Sequence, residues 1–139
     1  MIIIQQSLAI KQDIGDRNGE ANSLIGLGNA YNFLGEYQRA IEFYQQSLTI
    51  TREIGDRNGE ATAWFNLGLT LEDVNRGSDA VGAYRNAREL YQAMGLDTDV
   101  QDCDRAIERL SQPQVPVAPR HGFWQWLSRL WRWLKRLWQ

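Results

Sequence analysis

The chain has one cysteine, Cys103, and one histidine, His121. A single cysteine excludes an internal disulfide. It also has no second histidine or metal-ligand set beside it to activate a thiolate. No acid occurs after residue 111, and the three prolines, Pro113, Pro116 and Pro119, fall together. No apolar run approaches the roughly 18–20 residues that a spanning helix needs. The first residues, MIIIQQSLAIKQ, carry no basic n-region and no cleavage pattern, so they do not read as a signal peptide. GDRNGE lacks a preceding strand and the Lys-Ser/Thr ending of a phosphate loop. Neither catalysis nor a bound cofactor or metal is expected, and the default location is the cytosol.

A repeat is present instead. Gln6 to Ala21 reads QSLAIKQDIGDRNGEA, and Gln46 to Ala61 reads QSLTITREIGDRNGEA, forty residues later. That period points to stacked helical hairpins, which work by presenting a surface. Charge divides along the same line. Residues 1–111 hold ten basic residues and seventeen acids, a net of −7; residues 112–139 hold five basic residues and no acid. The two parts should meet different partners, or each other, and an acidic body argues against nucleic acid.

Leu24, Leu27, Tyr31 and Leu34 follow helical spacing, as do Ala40, Ile41, Tyr44, Ser47 and Leu48. Trp64, Leu67 and Leu71, then Ala80, Tyr84 and Ala87, repeat the pair. Gly35 should stop a helix; Gly15-Asp16 and Gly55-Asp56 should stop one and cap the next. Thr98 with Gln101 fits a capping box near the start of a further helix. In it Ile107 and Leu110 would cover the last hairpin, while Asp102, Asp104, Arg105, Glu108 and Arg109 face water. About five helices and no strand are expected in residues 1–111.

Leu24-x2-Leu27-Gly28-x2-Tyr31, Gly35-x-Tyr37-x2-Ala40 and Tyr44-x2-Ser47 resemble the tetratricopeptide repeat, and Trp64-x2-Leu67-Gly68-x2-Leu71 with Ala80, Tyr84 and Ala87 matches again. The period and connector are similar to the longer repeats of kinesin light chains, Leu-Gly-Asn repeat adaptors and many bacterial proteins. The resemblance implies an all-α fold: a right-handed superhelical stack of antiparallel hairpins over 1–111, comprising a half repeat, two full repeats and a capping helix. Met1 aligns with Ile41, so the segment is expected to open inside the second helix of a repeat, with its partner helix missing. Arg52 stands where the usual proline would be, so that helix should run on.

By the same resemblance, the first helix of each hairpin lines a groove. Its positions are Asn22, Ile25, Asn29, Asn32 and Phe33 in one repeat and Thr62, Phe65, Leu69, Glu72 and Asp73 in the next. Asparagine amides can pair with both donor and acceptor of an extended peptide, with Ile25, Phe65 and Leu69 as apolar anchors. The absence of lysine among these positions disfavours the grip on a C-terminal carboxylate used by some co-chaperone repeats.

Residues 112–122 read as a proline-rich linker and 123–139 as a separate amphipathic helix. At about 100° per residue, Phe123, Leu127, Leu130, Leu134 and Leu137 centre one face. Trp124, Trp131 and Trp138 flank it on one side, Trp126 and Trp133 on the other. Arg129, Arg132, Lys135 and Arg136 lie opposite. That suits a helix lying in an anionic membrane interface. The expectation is an adaptor that binds a protein or peptide in its groove and is held peripherally on the inner face of a membrane. The alternative is a soluble scaffold, or a fragment of a longer repeat protein, whose tail packs on its own repeats or mediates self-association. The unpaired first helix is a further self-association edge.

Overall fold

The computed structural model describes residues 1–113 and 121–138, and among these every regular element is an α-helix. In chain order they are α1 (Ile2–Asp13), α2 (Arg17–Phe33), α3 (Tyr37–Ile54), α4 (Arg57–Asp73), α5 (Gly77–Ala93), α6 (Asp97–Ser111) and α7 (Phe123–Leu137). Residues 1–111 thus form six helices, one more than five: the half-repeat helix α1, the four helices of the two hairpins and the end helix α6. The helices α1 to α6 pack each on the next, as antiparallel hairpins in a stack. The proline-rich stretch lies largely outside the described residues.

The repeated connector explains the register. Gly15 and Gly55 take left-handed backbone at φ 71° and 72°, a conformation that costs glycine little. The next residue caps a helix: Asp16 accepts from the Gly19 N–H and Asp56 from the Gly59 N–H, both at 2.9 Å. Glu20 and Glu60 then reach back to the preceding helix, accepting from Gln12 at 3.0 Å and from Arg52 at 2.7 Å. Arg52 also lies over the Trp64 ring at 5.2 Å. The residue that replaces a helix-ending proline therefore lets α3 run to Ile54 and clamps it to α4.

Two helix boundaries depart from this pattern of glycine stop and aspartate cap. Asn75 takes the left-handed position, φ 59°, that glycine fills in the other turns; asparagine is among the side chains that tolerate it. The capping box at Thr98 does not form, because α6 starts two residues earlier, with Leu96 rather than Thr98 at the cap position and without a side-chain cap. Left-handed Gly95 and the Leu96 N–H bond to the Tyr91 carbonyl at 3.0 Å set that earlier start. Asp97 and Asp99 then place negative charge on the first turn.

The core lies between the helix layers. Ala21, Ala40, Ala61, Ala63, Ala80 and Ala87 are wholly buried and let helices approach. Tyr44 and Tyr84 fill the space beneath Gly28 and Gly68. Ile107 and Leu110 of α6 close the end of this core, and Cys103 packs as a buried side chain with Ala61, Ala87 and Tyr91. Burial pushes its thiol up to about 11.

Candidate protein-binding face

Helices α2, α4 and α6 are joined side by side. Asn66 Nδ2 of α4 donates to Asn29 Oδ1 of α2 at 3.1 Å, and Thr70 Oγ1 donates to Asn32 Oδ1 at 3.0 Å. Arg109 of α6 forks onto the Glu72 carboxylate of α4, at 2.7 and 3.0 Å. These contacts join the three helices into one continuous face, the one expected from the repeat alignment to be the inner face of the stack.

The expected groove positions divide on this face. Asn22, Asn29, Phe33, Leu69 and Asp73 are exposed, with Phe33 90% and Leu69 41% accessible. Ile25 is 8% exposed and belongs to the core. It is therefore a packing residue, not an apolar anchor, because its side of α2 turns inward. Phe65 is half-buried, edge-on to Tyr84 with ring centroids 5.4 Å apart. Asn32, Thr62 and Glu72 are also half-buried. Of the expected positions, the exposed apolar side chains are thus Phe33 and Leu69.

The polar groups beneath are mutually satisfied. The Tyr44 phenol donates to Asn29 Oδ1 at 2.7 Å, so that one oxygen receives both Tyr44 and Asn66. Burial pushes Tyr44 up to about 12, with neighbouring Thr70 working the other way. The Tyr84 phenol donates to Glu72; burial first, then that bond, raises its pKa. Burial of Glu72 favours protonation, but hydrogen bonds from Arg109 and Tyr84 outweigh it and hold the carboxyl below its ordinary value. Among the described residues no cluster could hold a metal ion.

Asn66, Thr70 and Arg109 were not legible as members of this face. Arg109 is on the water-facing side of α6, as its spacing implied, but its length carries the guanidinium to Glu72. Asp104 likewise pairs with Arg88 of α5.

The tail helix has no buried residue. Phe123, Trp124, Trp131, Leu134, Leu137 and Trp138 are exposed; Trp126, Leu127, Leu130 and Trp133 are half-buried. Phe123 stacks on Trp126, ring centroids 5.8 Å apart. Arg129, Arg132, Lys135 and Arg136 are all exposed. Among the described residues no helix is long and apolar enough to cross a membrane. At the other end, Ile2, Ile3 and Ile10 stand exposed along α1, and Ile14 at its C-terminal cap.

A family model described as tetratricopeptide repeat matches residues 3–53 and 20–93. No curated protein matches the chain. Among solved structures, BtubC (BKLC) from P. vanneervenii is similar, with a TM-score of 0.59 at 19% identity. The alignment covers 95% of this chain but 63% of that one, so the chain spans less than two thirds of its length. At that identity the likeness shows the fold alone.

Proposed function

We propose that this chain, which belongs to the tetratricopeptide repeat family, binds a protein or peptide on its inner face and is held to an anionic membrane surface by α7. Repeats of this family generally mediate protein–protein interaction. On the inner face, Phe33 and Leu69 supply apolar contact. Asn22 and Asn29 supply amide groups beside them, and Asp73 adds an exposed acid.

The observation that carries the tether is α7 itself: an apolar face of Phe123, four leucines and five flanking tryptophans without one buried residue. Laid in an interface, each leucine contributes about 1 kcal/mol or more. Each cation near an anionic surface adds about 1 kcal/mol. Together these exceed the cost of ordering a short helix.

Flotation with anionic vesicles tests this reading. Wild type should float, and should lose that property when residues 120–139 are deleted or when Leu130→Glu and Leu134→Glu are combined. Wild-type protein that stays unbound at low salt, with unshifted tryptophan fluorescence, would overturn the tether.

A second reading, self-association through α1, is favoured by its exposed isoleucines, of which Ile3 and Ile10, seven residues apart, share one side of the helix. It requires a concentration-dependent oligomer that Ile3→Glu with Ile10→Glu abolishes in sedimentation.

A further inference from the structure

Resting on the tether reading and deepening it, we propose that the arginine side of α7 selects lipids whose headgroup is a phosphate monoester over lipids of equal charge that present a phosphodiester. The four cations of α7 are not evenly distributed. At about 100° per residue, Arg129 and Arg136 fall beside Trp133 on one shoulder, with Arg132 next to them toward the polar crest. Lys135 stands on the other shoulder. The side chains follow this division. Arg129, Arg132, Trp133 and Arg136 line one notch of about 260 Å3. Lys135 shares another, of about 310 Å3, with Trp131, Leu134 and Trp138.

The division is chemical as well as spatial. Lysine presents a compact point charge, whereas each guanidinium presents a planar fork that matches two oxygens of one phosphate. Positions 129, 132 and 136 follow one another along a single stripe of the helix. Arg132 Nε donates to the Ser128 carbonyl at 3.3 Å, which leaves its two terminal nitrogens for an outside acceptor. No carboxylate on α7 competes for these forks, since the last acid of the chain precedes residue 112. With Trp133 at the membrane boundary, the arginine shoulder lies at the depth of the lipid phosphates. A monoester there offers three terminal oxygens and nearly two charges at neutral pH. A diester offers two oxygens and one charge. Three forks on one side match the former; mere attraction to negative charge would not distinguish them.

The experiment measures binding of the full chain at pH 7.4 to phosphatidylcholine vesicles containing either phosphatidic acid or phosphatidylglycerol. The two are matched in zeta potential rather than in mole fraction. Wild type should bind the phosphatidic acid vesicles about tenfold tighter. The combined R129K, R132K and R136K variant keeps every charge; it should bind phosphatidylglycerol like wild type and lose the preference. Equal wild-type binding to both lipids, or a lysine variant that keeps the preference, would overturn the selection and leave the tether standing. Failure of wild type to bind either vesicle would sink the tether and the selection together. Millimolar inorganic phosphate should not displace the protein. Displacement from phosphatidic acid down to the phosphatidylglycerol level would assign the notch to free phosphate and refute the lipid headgroup.

Discussion

A Cβ on Gly28 would stand 2.5 Å from Cε1 of Tyr44. Gly68 and Tyr84 repeat the relationship at 2.8 Å. Both rings are buried and hydrogen-bonded at their phenols, so neither can turn aside cheaply. Gly28→Ala or Gly28→Leu should therefore destabilise by about 1–3 kcal/mol through overpacking. A Cβ on Gly82 would meet nothing within 4 Å. That residue lies inside α5, so Gly82→Ala should stabilise by about 0.5–1 kcal/mol. Urea midpoints of the variants check both signs; an unchanged midpoint for Gly28→Leu would contradict the close approach.

Glu72 links stability to acid pH. Its folded carboxyl titrates below the ordinary 4.5 because Arg109 and Tyr84 hold the ionised form against the effect of burial. The folded state thus binds that proton less readily than the unfolded chain. Its contribution is present above about pH 4.5 and is lost as pH falls through the folded value. Glu72→Gln should be less stable than wild type at pH 7, and the gap should narrow on acidification. A gap independent of pH between 7 and 3 would mean the carboxylate charge contributes nothing.

The Cys103 thiol, wholly buried and raised to about 11, should resist alkylation at pH 8. Labelling should require unfolding, so its denaturant dependence should follow the loss of helical circular dichroism. Rapid labelling of the native chain would place the residue outside the core.

The inner face can be probed with peptides selected from a random library displayed against the full chain. Their binding should fall about tenfold or more when Phe33→Ser and Leu69→Ser are combined, each residue losing on the order of 1 kcal/mol of apolar contact. Both side chains are accessible, so circular dichroism should be unchanged. Asn29→Ala is a poorer probe, because it removes the acceptor shared by Tyr44 and Asn66 and should itself cost about 1 kcal/mol of stability. Selected peptides indifferent to Phe33 and Leu69, yet blocked by substitutions on α3 and α5, would refute this face.

Much of the molecule is legible along the chain because its determinants are local. The forty-residue period, the left-handed glycines, the Asp16 and Asp56 caps and the small residues at 28, 40, 68 and 80 act within a turn or between adjacent helices. The two-sided character of α7 is likewise a property of spacing alone. The capping pattern at Thr98 fails for a local reason too: the left-handed stop at Gly95 fixes the helix start before that pattern can act.

What the tertiary structure decided is the inner face, where helices separated by a whole hairpin meet. Repeat alignment treats Ile25 and Phe65 as equivalents, yet α2 turns Ile25 into the core while Phe65 rests half-exposed on Tyr84. Spacing cannot say that Asn66 reaches Asn29, that Thr70 reaches Asn32, or that Arg109 crosses to Glu72. Those contacts depend on the sideways register of α2, α4 and α6, which the packing of the helices between them sets. Sequence period determined which helices recur side by side; only their packing determined which side chains on that face are tied to a neighbouring helix and which stay exposed.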